Sequence, residues 1–213
     1  MSPRAYRLGR REMDTEKTRA RIVAAARRLL LSPRGFAVFS IDAVAREAGV
    51  ARMTVYHRFG SKRGLLQGIF DDLAARGGMS ELRDVFRNPD PLAALSEFIS
   101  VFTRFWTSGR VVIRRLHGQG VIDPNLGEAL REREERRREG LRVIVKRISE
   151  KEGRPRAAAF DDVVDVLFML TSFETFDSLA RGKRRPPDVA ALVHRLALAA
   201  IRGEPPRGAN KPS

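Results

Sequence analysis

Residues 40–62 read SIDAVAREAGVARMTVYHRFGSK. Ser40 is placed to cap a helix, its side-chain oxygen accepting from an N–H that the first turn leaves unpaired. Ile41, Val44, Ala45 and Ala48 follow at i, i+3, i+4 and i+7, which puts them on one helical face. Gly49 closes that helix at a position where a left-handed backbone is needed. A second short helix runs from Ala51 to about Phe59. Gly60-Ser61 breaks it, and Ser61 caps a longer helix to Arg76. Ala45 is small enough for two helices to cross closely, and Val50 and Val55 lock the second on the first. This is a helix-turn-helix reading, in which the second helix offers a polar face of the width that a DNA major groove admits. An ordinary three-helix core is the alternative for the same pattern.

Upstream, residues 1–14 carry Arg4, Arg7, Arg10 and Arg11 without an apolar period and read as a loose basic arm. From Thr15 the period turns helical, with Ile22, Val23, Ala26, Leu29 and Leu30 on one side, and Ser32-Pro33 and Gly35 end it. Downstream, Gly77-Gly78 marks a boundary. Pro91 to Thr107 is a helix with Leu92, Leu95, Phe98, Ile99, Phe102, Phe105 and Trp106 on a broad face. A shorter helix spans Val111 to Leu116, and Gly118, Gly120 and Pro124 mark a loop. Asn125 to Lys151 is long and charged. Its run Arg131–Glu139 offers Glu132/Arg136 and Glu134/Arg138 pairs at i, i+4, the pattern of a solvated face. Residues 157–181 and Asp188 to Arg202 form the last helices, and residues 204–213 read as a disordered tail. The expected organisation is all-α: an arm (1–14), a three-helix domain that carries the helix-turn-helix (15–77), a second all-helical domain (78–203) and the tail (204–213).

The chain has 213 residues, with 41 Lys+Arg against 26 Asp+Glu, for a formal net charge of +15. Residues 1–76 hold 16 basic and 7 acidic residues, and residues 77–213 hold 25 and 19. The surplus is therefore concentrated in the segment with the helix-turn-helix pattern. That asymmetry favours a polyanionic partner, although an arginine-rich composition serving solubility gives a similar count. The chain has no cysteine, which excludes disulfides, thiolate zinc sites and cysteine nucleophiles. No apolar stretch reaches the ~20 residues of a membrane span, and no signal-peptide core follows the basic start, so a soluble cytoplasmic protein is expected. Asp161, Asp162 and Asp165 lack a further His or carboxylate spaced to complete a metal site. No phosphate loop, dinucleotide fingerprint or nucleophile elbow is present. Gly64 and Gly68 form a GxxxG in a polar helix, where that pattern carries little. No enzyme, metal or cofactor is expected.

Over residues 17–70 the sequence resembles the tetracycline-repressor (TetR/AcrR-like) family. The resemblance rests on Arg21-Ile22, Gly35-Phe36, Ser40, Val44-Ala45, Ala48-Gly49-Val50, Thr54-Val55-Tyr56, Phe59-Gly60-Ser61-Lys62 and Leu65-Leu66. Ala51 stands where the family usually has Ser, Arg58 where His is frequent, and Gly64 where an acidic or small helix-former is usual. Without a hydroxyl at Ala51 the second helix starts less firmly. The resemblance implies that Ser40, Thr54, Tyr56 and Lys62 touch phosphates, a role suited to hydroxyl and ammonium donors. Tyr56 has core packing as an alternative. It also implies that Ala51, Arg52, Met53 and His57 face base edges. Arg52 is the candidate for direct readout, since guanidinium pairs bidentately with guanine; a phosphate contact or a solvated charge is its alternative. For His57 a backbone contact stands equal.

The resemblance also implies that the two apolar C-terminal helices form a four-helix bundle across a two-fold axis, against a reading in which both are buried within a monomer. It implies a cavity for a small apolar or aromatic effector lined by Phe102, Phe105, Trp106, Phe168 and Phe173, with His117 as a polar anchor. Aromatic residues at helical spacing can equally be core, and His117 a surface residue. The expected function is a homodimeric repressor released from a near-palindromic double-stranded DNA operator by its effector. An activator or a protein-controlled regulator of the same fold is the first alternative, and an effector-free nucleoid-structuring protein the second.

Overall fold

The computed structural model describes residues 3–155, 159–182 and 184–203, and among these every regular element is helical. The chain divides into two compact units, Met1–Leu73 with Val111–Leu130, and Ala74–Arg110 with Arg131–Ser213. The expected 204–213 tail lies outside the described residues.

The first unit is built on α1 (Pro3–Leu31), α2 (Ile41–Ala48), α3 (Arg52–Phe59) and the start of α4 (Lys62–Arg76). Helix α1 begins at Pro3, well before the Thr15 that the apolar period predicts. Ile22, Val23, Ala25, Ala26 and Leu30 of α1 meet Ile41, Val44, Ala45 and Ala48 of α2, Val55 of α3, and Leu65, Leu66 and Ile69 of α4 in one buried core. Arg27 donates to Asp72 across 3.1 Å and ties α1 to α4. The unit also holds the last part of α6 (Pro91–Ile122) and the first part of α7 (Pro124–Glu152). There Arg115 donates to the carbonyl of Leu30, which the end of α1 leaves open, and to that of Ser32 just beyond it.

Gly64 and Gly68 form the seat of Phe59. A Cβ on Gly64 would lie 2.0 Å from the Phe59 carbonyl oxygen, and one on Gly68 would lie 2.8 Å from the Phe59 ring. The GxxxG therefore serves close packing between the end of α3 and α4.

In the second unit, α5 (Leu82–Arg87) precedes α6, and α8 (Phe160–Leu170), α9 (Phe173–Leu179) and α10 (Pro186–Arg202) follow α7. Phe98, Phe102, Phe105 and Trp106 of α6, Leu141, Ile144, Val145 and Ile148 of α7, Val163, Val164 and Leu167 of α8, and Val189, Val193 and Ala197 of α10 are buried. Helices α8 and α10 pack on each other.

Three further expectations are corrected. The helix from Pro91 does not stop at Thr107, and no loop forms at Gly118–Gly120; α6 is continuous to Ile122. The break falls at Asp123, whose carboxylate accepts from the N–H groups of Asn125 (3.1 Å) and Leu126 (3.2 Å) and caps α7. The helix runs through both glycines despite the cost of about 1 kcal/mol that each carries. The expected helix over 157–181 is two helices. Ser172 accepts from the Thr175 N–H at 3.1 Å and starts α9 afresh. The Arg131–Glu139 run is not a uniformly solvated face, because Arg137 is 3% exposed. No described helix is long and apolar enough to cross a membrane.

Candidate nucleic-acid interface

Helix α2 starts at Ser40, whose Oγ accepts from the Ala43 N–H at 3.1 Å. It ends at Gly49, with φ 62° and ψ 42°. There the Gly49 N–H reaches the Arg46 carbonyl at 3.2 Å and the Val50 N–H reaches the Ala45 carbonyl at 3.0 Å. This paired closure turns the chain sharply and satisfies the carbonyls of Ala45 and Arg46. Ala51 then opens α3 without a side-chain cap, as its methyl predicts. Val55 is the buried residue of α3, and the helix leaves its other faces outward.

That outward surface gathers the residues to which the sequence gives DNA contacts. Ala51, Arg52, His57 and Lys62 are exposed, Met53 is 59% exposed, and Thr54 and Tyr56 are half-buried. Ser40 is exposed at the start of α2, its hydroxyl proton still available because the capping bond uses only the oxygen. Lys62 Nζ sits 5.8 Å from the Phe39 ring centroid, which holds the ammonium at the start of α4. Arg46 and Arg58 add positive charge to the exposed surface. Glu47 is paired with Arg28 at 2.7 Å.

Arg52 is held on two sides. Its Nη1 donates to Asp42 Oδ2 at 3.2 Å and its Nη2 donates to the Tyr56 hydroxyl at 3.3 Å. Its guanidinium lies 5.5 Å from the Tyr56 ring centroid. The Tyr56 hydrogen bond, and then the Asp42 charge, hold Arg52 above its ordinary pKa. Sequence reading missed Asp42, since nothing local links it to a residue ten positions on.

The second unit gathers most of the residues expected to meet an effector. Phe98 and Phe102 stand 4.6 Å apart, Phe102 and Trp106 5.8 Å, Phe105 and Trp106 4.6 Å, and Trp106 and Phe173 5.5 Å. The Trp106 indole donates to the Thr171 carbonyl at 3.0 Å. Phe168 is half-buried, with the Arg137 and Arg138 guanidinium carbons each 4.1 Å from its centroid. His117 belongs to the first unit and is half-buried there.

Arg137, also missed, donates to the Phe168 carbonyl and to Thr171 Oγ1, both at 2.6 Å, and pairs with Glu134. Its buried Nε has no partner. Burial pulls its pKa below the ordinary arginine value, against the opposing pull of Glu134. Its signal in the sequence is faint: it lies three and four positions before the buried Gly140 and Leu141, on their side of α7.

Residues 22–69 match the family described as bacterial regulatory proteins, tetR family. The HTH-type transcriptional regulator EthR of Mycolicibacterium smegmatis is 35% identical over 102 residues, covering 47% of this chain and 46% of that protein. The HTH-type transcriptional regulator AlkX of Mycobacterium tuberculosis is 45% identical over 51 residues, 24% of either chain. These matches span less than half the length of either relative. A TetR transcription regulator from Haloarcula marismortui shares the fold, with a TM-score of 0.68 at 17% identity over 88% of this chain and 98% of its own. The capped α2, the left-handed turn at Gly49 and the outward polar α3 all lie within the segment that matches the tetR family of bacterial regulatory proteins.

Proposed function

We propose that the protein is a homodimeric, one-component transcriptional regulator that represses from a near-palindromic operator and is released by a small molecule. The observation that carries this reading is the outward surface of α3. Arg52, Met53 and His57 are exposed there, and Ser40, Thr54, Tyr56 and Lys62 are the donors assigned to phosphates in this reading. Base edges are read by the first group, and register on the duplex is set by the second.

Dimerisation is supported by the apolar surface that α8 and α10 leave uncovered. Val166, Met169 and Leu196 are exposed on these two mutually packed helices. A two-fold pair of chains would present two α3 helices to half-sites about one DNA turn apart. The effector would be an apolar or aromatic molecule received beside Phe102, Phe105, Trp106, Phe168 and Phe173 of the second unit. The ligand has only to bind the released state more tightly than the DNA-bound state, because equal affinity would shift nothing. Such a protein works in the cytoplasm, where its operator is.

Footprinting of the purified protein on the DNA flanking its own gene tests the reading. A protected near-palindrome is the expected result, with sedimentation of the free protein as a dimer. Equal binding to every duplex would instead favour the nucleoid-structuring alternative.

A further inference from the structure

An ion pair joins α2 to α3: Arg52 Nη1 stands 3.2 Å from Asp42 Oδ2. We propose that Asp42 is a positioning residue for base readout, holding Arg52 in the orientation that pairs with guanine and keeping it off the phosphates. The inference rests on the DNA-binding reading above.

Arg52 is the first residue of α3 and its side chain is 57% exposed. An arginine so placed samples many rotamers and is drawn to any phosphate within reach. Here one N–H of Nη1 goes to Asp42 and one of Nη2 goes to Tyr56. Three of the five guanidinium N–H groups remain, including one on each terminal nitrogen. Those two suffice for the bidentate pair with guanine O6 and N7.

The carboxylate comes from a different helix, and the Gly49 turn fixes α2 against α3. Asp42 therefore references the readout group to the body of the domain as well as to its own helix. Tyr56 accepts from Arg52, so its own hydroxyl proton is left to donate to a phosphate oxygen. One residue thereby couples the register of the backbone to the orientation of the reader. The negative charge of Asp42 adds a second effect in the same direction, since it repels phosphates where Arg52 forms no base contact.

Selection from a randomised duplex library followed by sequencing gives the preferred site of the wild type. Binding to that duplex, and to duplexes with one base pair changed in turn, then compares wild type with Asp42→Asn. At the guanine read by Arg52, Asp42→Asn is expected to cut the preference by about tenfold, while binding to unrelated duplexes tightens. In an Arg52→Ala background the same substitution is expected to leave the preference at that position unmoved. If Asp42 acts only through bulk charge, all duplexes tighten alike and every preference is retained, which overturns the proposal. A stability loss with intact preferences assigns Asp42 to the folding of α2 and overturns it too. If the wild type selects no site, the DNA-binding reading falls and this inference with it. A clear wild-type site with preferences unchanged in Asp42→Asn sinks this inference alone.

Discussion

The start of α3 and the middle of α7 each present a guanidinium to a carboxylate, a hydroxyl and an aromatic ring. Arg52 has Asp42 and Tyr56, which supplies both hydroxyl and ring. Arg137 has Glu134, Thr171 and Phe168. The partners are alike and the surroundings are opposite: the Arg52 side chain is 57% exposed and that of Arg137 2%. In water the partners raise the Arg52 pKa, whereas burial outweighs similar partners and lowers that of Arg137. Contact chemistry alone thus does not tell a reading group from a structural one. At the surface a guanidinium keeps its capacity for a new acceptor, and in the interior its bonds are committed to holding neighbouring elements.

Unfolding measurements can break this comparison most directly. Arg137→Ala leaves Glu134 without its buried counter-charge and removes two hydrogen bonds to the α8–α9 junction. A loss of about 3–5 kcal/mol is expected, the range for removing one partner of a buried pair. Arg52→Ala is expected to leave the urea midpoint where it was, because exposed ion pairs contribute little. Equal midpoints for the two variants would show that burial does not separate them.

The next test asks where the stability of the DNA-facing region lies, if not in its ion pair. Gly64→Ala places a Cβ against the Phe59 carbonyl oxygen, a backbone atom that cannot swing aside. The turn between α3 and α4 must open, at a cost of about 1–3 kcal/mol. Urea unfolding reads the loss. An unchanged midpoint would show that α4 shifts freely beneath α3, and that Arg52 is carried on a looser frame than the packing indicates.

The same contrast sets what was legible in the sequence. Ser40, Gly49 and the buried row Ile41, Val44, Ala45 and Ala48 were readable because caps, left-handed turns and helical periodicity are local in the chain. The uncapped start at Ala51 was readable for the same reason. Asp42 was not, since its partner lies beyond a turn whose angle only the fold supplies. Arg137 was hidden in an arginine-rich segment where composition points outward, and its burial depends on α8, whose Phe168 lies 31 residues downstream. In α6 the glycines at 118 and 120 suggested a break, yet the helix runs through both. At Thr171–Ser172 an apolar run masked a break that Ser172 made by capping the next helix.

A smaller effect comes from restoring the missing cap. Ala51 lies at φ −68° and ψ 147°, an extended geometry suited to an N-cap residue, but it has no side-chain acceptor. Ala51→Ser supplies an oxygen for the N–H groups of the first turn of α3. The expected gain is about 1 kcal/mol by urea unfolding. A gain in stability with unchanged base preference at Arg52 would place orientation in the pair with Asp42 rather than in the firmness of the helix start. A changed preference would place it in the helix start.

His194 on α10 sharpens the comparison from a third direction, because it is a basic group whose burial is not matched by partners. Its Nε2 is buried without a hydrogen-bond partner, and burial lowers its pKa below the ordinary histidine value. Arg137 has a carboxylate, a hydroxyl and a carbonyl accepting from it. His194 has only desolvation acting on it and folds best in the neutral form. The unfolded chain therefore takes up a proton that the folded chain resists as pH falls through about 6.5. The stability tied to this group is present above that pH and is lost below it, down to the depressed folded value. His194→Leu is expected to flatten the slope of stability against pH in that window while leaving the slope above pH 7 unchanged. The same slope in both proteins would mean that the ring is protonated within the fold, and that burial without partners costs a basic group less here than Arg137 implies.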